Sequence, residues 1–480
     1  MRRLVALYLV LGLLFACAQP RVTSEPRLGA PPTGRADRDR VAKQAVLELE
    51  FFADGRGLMM VPRLIDVYDR LNQSAPGHHV IMNKLRNDWG FVIYNDAPSG
   101  LFRKPYDGFN VGVLGCAVCH SGKAAGIFIP GLGNKNIDVL QIGRDVSWIQ
   151  MMFTKLQLPV NHSPQYKDAQ KFALQFANTI NVEKLGNLTQ GIVPVSIIQT
   201  WFYKQGGIGH PSKMNRGATK VPALWGYATK NMTGKFCDGF GKGPGWLVSI
   251  ELTAGQKPET VRSYFPKVVN AELIFADLLP PPYPFEKQCS DTMPGKAIFE
   301  ENCSRCHGTY ENDGEGYSIY KPPKFVPINT VKTDADRTGA ITPEFEKLVD
   351  SNPMNDVIQR NQLGRGYIAP RLEGIWSRFP YLHNASVPSL KAMLTDPQER
   401  PTIFSLEDAG EESRFDRTDV GLTMPAEGST EYTTQKVKAK LGVRNIYYTK
   451  RDGQSNQGHS FGTTLPDPDK DALIAYLKCL

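Results

Sequence analysis

The pattern Cys-x-x-Cys-His occurs twice in this 480-residue chain, at residues 116–120 and at residues 303–307. It is the attachment signature of c-type haem, in which two thiols form thioethers with the haem vinyl groups and the adjacent His ligates iron. A zinc site would need a second cysteine pair about 15 to 20 residues away, and a thioredoxin-like redox pair does not need the His. We therefore predict two covalently bound haem c groups, held by Cys116, Cys119 and His120 and by Cys303, Cys306 and His307.

Residues 1–17 have the features of an export signal. A positively charged start precedes an apolar run at residues 4–15, which is too short to span a bilayer. Residues 14–17 resemble a bacterial lipobox, which would make Cys17 the lipidated first residue of a periplasmic or outer-membrane lipoprotein. Ordinary cleavage after the neighbouring small residues is the alternative. Both interpretations predict an exported bacterial protein.

The composition is that of a soluble globular protein, with 41% hydrophobic and 22% charged residues. The formal net charge is +8, but no basic run is interleaved with aromatic residues, so nucleic-acid binding is not indicated. Each haem would bring propionate carboxylates, which Lys and Arg side chains near the site must balance.

Two proline-containing stretches divide the chain. Residues 18–39 contain Pro, Arg, Gly and Thr with few apolar side chains, which is typical of a flexible tether. Residues 280–288 begin with three consecutive prolines, whose extended geometry cannot continue a helix. We expect an N-terminal haem c domain at residues 40–279 and a C-terminal cytochrome c domain at residues 289–480.

Apolar residues recur at helical spacing in both predicted domains. The helix at 294–301 leads into the second haem motif and the helix at 467–480 closes the chain, as in a cytochrome c domain. The fold class is therefore mainly α, with two cytochrome c-like haem domains, long loops and little β-structure. The predicted helices cover residues 41–52, 61–71, 146–156, 169–177, 261–279, 294–301 and 467–480.

Residues 371–390 carry a longer signature, in which Gly-Ile-Trp is followed by Pro-Tyr-Leu-His-Asn-Ala-Ser-Val-Pro. This stretch resembles di-haem c-type cytochromes related to bacterial cytochrome c peroxidases and rubber oxygenases. Residues 457–463, Gln-Gly-His-Ser-Phe-Gly-Thr, resemble the carboxy-terminal pattern of the same group. The resemblance covers roughly residues 40–480. It implies an oxidoreductase with a redox partner protein and with peroxide, oxygen or an alkene-like small molecule as substrate.

The resemblance also implies the ligands of the second iron. In the rubber-oxygenase-like branch the His of the carboxy-terminal pattern is the second axial ligand, a role that falls to His459. His383 is the alternative ligand, and its motif otherwise makes it a hydrogen-bonding residue at the haem edge. A methionine ligand, Met393 or Met424, is a further alternative, although most methionines are core residues.

For the first iron no distal ligand stands out, because the remaining histidines are interpreted as loop residues. An open or water-bound iron is therefore preferred. The resemblance makes Trp225 a relay between the haems, with core packing as the alternative. It also makes Phe236 and Phe240 apolar distal-pocket residues, although the local sequence departs from the family pattern. No Glu can be assigned the acid–base role of a peroxidase from the sequence, and a calcium ion has no assignable site. The histidines interpreted as loop residues, with iron ligation as the alternative, are His78, His79, His162 and His210.

Three cysteines remain outside the motifs and the export signal: Cys237, Cys289 and Cys479. An oxidising compartment permits one disulfide among them, and three buried thiols are the alternative. Two other functions stay open at this stage. The chain could be a pure electron-transfer cytochrome without substrate chemistry, or a maturation enzyme that oxidises a partner protein.

Overall fold

The structure is a computed structural model. It is about 40% helix and 14% strand, with the strands in small mixed sheets, so the prediction of a mainly helical chain is confirmed in coarse terms. The export signal, Cys17 and the predicted helices at 146–156 and 169–177 lie outside the described residues. These are residues 34–48, 61–62, 82–106, 109–145, 188–208, 216–226, 234–253, 255–285, 293–312 and 318–480.

Helices occur where the apolar spacing predicted them and at several shorter turns. Helix α1 begins at Arg35, inside the segment predicted as a tether, and α5 continues through Pro266 without ending there. No helix of the described ranges is long and apolar enough to cross a membrane. The helices are α1 Arg35–Glu48, α2 Cys116–His120, α3 Ser196–Gln205, α4 Ser249–Thr253, α5 Pro258–Ala276, α6 Pro294–Asn302, α7 Ser304–His307, α8 Ile328–Val331, α9 Asp336–Gly339, α10 Pro343–Asp350, α11 Leu390–Met393, α12 Thr430–Lys440 and α13 Asp467–Lys478.

Within the described residues, the strands form antiparallel pairs, together with one three-stranded sheet of order β1-β5-β4. The helix predicted from Val61 is wrong for Val61 and Pro62, because both residues pair with β5 as strand β1. The strands are β1 Val61–Pro62, β2 Ile93–Tyr94, β3 Ala97–Pro98, β4 Leu101–Tyr106, β5 Phe109–Leu114, β6 Ser121–Ala124, β7 Ile127–Pro130, β8 Ile192–Pro194, β9 Ala218–Lys220, β10 Gly241–Lys242, β11 Tyr310–Asn312, β12 Ser318–Tyr320, β13 Phe325–Pro327, β14 Gln359–Arg360, β15 Gly366–Ile368, β16 Ile403–Ser405, β17 Phe415–Asp416, β18 Gly421–Leu422 and β19 Ile446–Tyr448.

The largest hydrophobic cluster of the described residues contains side chains from both sides of the proline-rich stretch, from Ala42 to Leu477. The stretch itself packs against the second half of the chain. The Trp376 indole N–H donates to the Pro281 carbonyl at 2.8 Å, and the Tyr283 ring contacts the Trp376 ring edge-on with centroids 5.7 Å apart. The predicted division at residues 280–288 stays a prediction, since this segment is part of a shared core.

Helices α6 and α13, at the two ends of the predicted cytochrome c domain, pack against each other. The rings of Phe299 and Tyr476 lie 5.5 Å apart, and both side chains are buried with Leu473. At the crossing, a Cβ added to Gly295 would lie 2.0 Å from the Ala472 carbonyl oxygen. The absence of a side chain at Gly295 therefore allows the two helices to approach closely.

Substituting Gly295 with Ala is expected to lower the free energy of unfolding by about 1–3 kcal/mol, because the helices must separate to admit the methyl group. Gly364→Ala is the matched control, since nothing lies within 4 Å of a Cβ at Gly364 and its φ is not positive. Its effect should stay within about 0.5 kcal/mol. Urea unfolding of both variants measures the difference. Equal stabilities would contradict the packing argument.

Candidate haem sites

The second motif begins where helix α6 ends. Cys303 follows Asn302 and starts a one-turn helix, in which the N–H groups of Cys306 and His307 both donate to the Cys303 carbonyl at 3.1 Å. This turn places two thiols and an imidazole on one short segment, as covalent haem attachment requires. Burial raises the pKa of the Cys303 thiol to about 11, so the thiol is protonated at neutral pH.

His307 is oriented by a backbone carbonyl. Its Nδ1 lies 2.9 Å from the Pro370 carbonyl oxygen. Because a carbonyl can only accept, Nδ1 carries the proton and Nε2 carries the lone pair. Burial lowers the pKa of His307, which keeps the imidazole neutral and able to ligate a metal. A hydrogen bond from the second ring nitrogen is typical of metal-ligating His.

His459 faces His307 across a gap. Their ring centroids are 6.2 Å apart. An imidazole nitrogen binds a metal ion at about 2 Å, so the two rings leave room for one ion between them. Burial lowers the pKa of His459 to about 3, so this ring is also neutral. Its Nδ1 is buried without a hydrogen-bond partner in the described part of the chain. The pair fits an iron with two axial imidazoles.

The loop that carries His459 has an unusual backbone. Gly458 and His459 both have positive φ, +79° and +48°. A Cβ on Gly458 would lie 2.2 Å from the Lys332 carbonyl carbon, so only glycine fits there. The His459 N–H donates to the Val331 carbonyl at 2.7 Å. The loop is therefore fixed against helix α8 and the residues that follow it.

Arg400 holds the same loop from the other side. It is 2% exposed, and its guanidinium donates six hydrogen bonds of 2.7–3.2 Å, all to backbone carbonyls. Gly458 and His459 are two of the acceptors, and Met393 is a third. Burial lowers the pKa of Arg400 to about 10, which leaves it charged at neutral pH. Arg400 thus positions His459, a role that no sequence motif indicates.

A cavity of about 370 Å³ contains both imidazoles. Cys303, Cys306, His307 and His459 line it, together with apolar side chains that include Leu394. Two thiols, two imidazoles that face each other and an apolar wall fit a haem c, which is a flat apolar ring that needs covalent and axial attachment. Met393 also lines the cavity, whereas Met424 is 37% exposed and does not.

His383 lies in the same cavity but is engaged elsewhere. Its ring stacks on Tyr367 with centroids 4.3 Å apart, and its Nε2 lies 3.1 Å from the Tyr367 hydroxyl. That hydroxyl donates to the Asp334 carbonyl at 2.6 Å. The hydroxyl has one proton, so His383 Nε2 must donate and is not a lone-pair donor to iron. This arrangement favours the predicted hydrogen-bonding role of His383 over ligation.

The first motif has the same local design. Residues Cys116–His120 form helix α2, and His120 Nδ1 lies 3.0 Å from the Pro222 carbonyl oxygen. Burial raises the pKa of the Cys116 thiol, and the charges of Cys119 and Glu251 raise it further. Glu251 is fully buried on α4. The sequence offered no signal for this glutamate, since it belongs to no recognised motif.

The two proximal histidines therefore share one arrangement. Each has Nδ1 on the carbonyl of a proline, Pro222 or Pro370, that begins a Pro-x-Leu sequence. The prolines lie 102 and 63 residues after their histidines, so the similarity becomes apparent only in three dimensions. The sequence motifs did not indicate this repeated contact between a motif histidine and a proline carbonyl.

The other predicted site residues lie at different places. Trp225 is 5% exposed, lines the cavity and donates its indole N–H to the Glu373 carbonyl at 2.9 Å. Phe236 also lines the cavity, and the Arg337 guanidinium lies 5.1 Å from its ring centroid. Phe240 instead packs in a second aromatic core. The distal-pocket roles of the two phenylalanines stay predictions. His78, His79, His162 and His210 lie outside the described residues.

The remaining cysteines differ from one another. Cys237 is a free thiol that lines the cavity, and Cys479 is disulfide-bonded. Its partner lies outside the described residues, as does Cys289. Among the described residues, no three or more His, Cys, Asp or Glu side chains form a group that could hold a metal ion. Calcium therefore stays a prediction without assigned residues.

Comparison with known families identifies one segment. Residues 366–405 match the family described as RoxA-like, cytochrome c-like. The segment includes residues 371–390, on which the resemblance rests, and contains Pro370, His383 and Arg400. The match supports a cytochrome c-like, RoxA-related family with haem-based redox function and covalently bound haem c.

Two relatives come from Sinorhizobium fredii (strain NBRC 101917 / NGR234). The uncharacterized protein y4iM is 26% identical over 306 residues, which is 54% of this chain and 64% of that protein. The uncharacterized protein y4iJ is 32% identical over 154 residues, which is 30% of this chain and 22% of that protein. The chain thus spans less than two thirds of the length of either relative.

Changing both Cys303 and Cys306 to Ala is expected to remove the covalent haem of the second site, because haem c needs the thioethers. Cys237→Ala is the matched control, since this thiol lines the same cavity outside the attachment pattern. Denaturing haem-stained gels and pyridine haemochrome spectra count the covalent haem per chain. Unchanged haem in the double variant, or lost haem in the control, would refute the assignment.

Proposed function

We propose that this chain is an exported di-haem c-type cytochrome that acts as an oxidoreductase. One observation carries the proposal. Both motifs present an imidazole with Nδ1 on a proline carbonyl, and the imidazole of His459 faces that of His307. A second iron with two imidazole ligands, beside a first iron for which the sequence indicates no distal ligand, suits a division of labour. Export, with lipid attachment at Cys17, belongs to the same proposal.

A bound haem c supplies an iron that exchanges electrons and, where one axial position is open, reacts with small oxygen species. His307 and His459 would fill both axial positions of the second iron, which favours electron transfer. His120 would fill one position of the first iron. We therefore assign peroxide or oxygen chemistry to the first site and electron storage or relay to the second.

The proposed relay role of Trp225 is supported by its position relative to the two motifs. Trp225 lies three residues after Pro222, whose carbonyl orients His120. It also lines the cavity that contains His307, and its buried indole is fixed by the Glu373 carbonyl. An aromatic ring held between two haem sites can relay an electron. This supports the relay role over core packing alone.

The proposal includes a redox partner protein that supplies or accepts electrons. The fully buried Glu251, whose charge acts on Cys116, is a carboxyl near the first motif. A carboxyl near a reactive iron favours acid–base assistance, as peroxide chemistry needs. If the first site is an oxygenase site, Phe236 and Phe240 would be the apolar residues that contact an alkene-like substrate.

Carbon monoxide binding to the reduced holoprotein tests the division of labour. We expect the first haem to bind carbon monoxide and the second to resist, because only the second has two protein ligands in the proposal. Electron paramagnetic resonance of the oxidised protein should show one high-spin and one low-spin iron. Two low-spin irons without carbon monoxide binding would favour the alternative, a pure electron-transfer cytochrome.

A further inference from the structure

The cavity at the second haem site is lined by positively charged side chains. Among the lining residues that belong to the described ranges, none is Asp or Glu. Buried positive charges repel one another, and each one destabilises the folded protein when no negative charge compensates it. The cationic lining residues are Lys135, Lys220, Arg305, Arg371 and Arg378.

Lys220 is a buried ammonium group whose hydrogen-bond acceptors carry no charge. Its ammonium donates to the carbonyls of Arg378 and Pro380 at 2.8 and 2.6 Å. Both acceptors are neutral, so two of its three N–H groups are used without any charge compensation. Burial lowers the pKa of Lys220 well below its ordinary value, and the charges of Arg378 and Lys135 lower it further. Lys220 therefore lies close enough to Arg378 and to Lys135 for the like charges to repel.

Lys135 approaches the same backbone segment from another side. It is 8% exposed, and its ammonium donates to the carbonyls of Lys123 and Ser377 at 2.8 and 3.0 Å. No carboxylate pairs with Lys135 within the ranges that the structure describes. Burial lowers its pKa to about 7. Residues 377–380 thus lie between two lysines, whose ammonium groups both lack an acidic partner in this part of the structure.

Arg378 links this cluster to the iron site. Arg378 and His307 line the same cavity, and their side chains bond to the carbonyls of the adjacent residues Arg371 and Pro370. The buried Glu373 receives two hydrogen bonds from Arg371, and its charge also favours the charged form of Arg378, which donates to the Arg371 carbonyl. Glu373 is therefore shared by two arginines, and neither lysine pairs with a carboxylate within the described residues.

We propose that Lys135, Lys220 and Arg378 form a carboxylate-binding wall that holds the propionates of the haem attached at residues 303–307. The inference rests on the proposed function, since it requires a haem at that motif. Two propionates would provide the missing negative charge and accept the N–H groups that the carbonyls leave unused. A free carboxylate from solution has the same chemistry, and it is the other source that the experiment must separate.

The test is a redox titration of the holoprotein in buffer without organic acids. Lys220→Met is expected to lower the reduction equilibrium constant of the second haem about tenfold, or about 59 mV, because a nearby cation favours the less positive reduced iron. Lys220→Arg is the matched control and should remain close to the wild-type potential. Lys135→Met should shift the potential in the same direction, and it decides the test if Lys220→Met does not fold.

Titration of the wild type with acetate separates the two sources. A haem spectrum and potential that do not respond to acetate, together with the shift in Lys220→Met, support the propionates. A saturable response to acetate that Lys220→Met abolishes, without a shift in acetate-free buffer, overturns the propionate assignment. Potentials that move in neither lysine variant overturn the wall altogether.

The haem content and spin state of the wild-type protein distinguish failure of this inference from failure of the proposed function. If the second motif carries no haem, or its iron is not low-spin, the proposed function fails and the wall fails with it. If the wild type carries a low-spin haem there and the lysine variants keep its potential, the wall alone is wrong.

Discussion

Replacing His459 with glycine in the holoprotein is expected to remove essentially all of the low-spin signal of the second haem. The variant should also bind about one additional equivalent of carbon monoxide when reduced, because one axial position of the iron is left open. The reason is geometric, since the His459 ring centroid lies 6.2 Å from that of His307. Electron paramagnetic resonance and carbon monoxide difference spectra measure both effects.

His383→Gln is the matched control for this variant. His383 lines the same cavity, but its Nε2 is engaged with the Tyr367 hydroxyl. The low-spin signal should therefore persist in the control. Loss of that signal in His383→Gln with retention in His459→Gly would make His383 the ligand. Retention in both variants would point to the methionine alternative, Met393, which also lines the cavity.

Changing Arg400 to Met is expected to lower the free energy of unfolding by about 3 kcal/mol or more. Six hydrogen bonds to backbone carbonyls are lost, and each buried carbonyl left unsatisfied costs about 1–3 kcal/mol unless the loop rearranges. The acceptors include the carbonyls of Gly458 and His459. The loop should therefore loosen, and part of the low-spin signal of the second haem should be lost together with stability.

Arg400→Lys separates charge from geometry. Lysine keeps the positive charge but offers three donors in place of five, so its effect should fall between wild type and Arg400→Met. Urea unfolding followed by circular dichroism and by the haem spectrum gives both readouts. An Arg400→Met protein that loses less than about 1 kcal/mol would show that water or backbone motion replaces the guanidinium.

Several elements were predictable because their causes are local. The helices that begin at Pro294 and Asp467 follow from first-turn prolines and apolar spacing, and the structure has them within about two residues of the predicted bounds. Strand β1 was not predictable, because its pairing with β5 joins residues about fifty positions apart. The tether was expected to extend to residue 39, but helix α1 begins at Arg35.

The sequence by itself predicted the attachment chemistry, since two thiols and a His within five residues need only one helical turn to act together. It also indicated His459 and the family of residues 366–405, because these signals lie in short contiguous motifs. Only the tertiary structure decided which side chains surround them. Pro222 and Pro370 orient the proximal histidines across 102 and 63 residues, and Arg400 holds a loop 59 residues away. Buried carbonyls need hydrogen-bond donors, and folding decides which carbonyls become buried next to which side chains. No short sequence motif records these contacts.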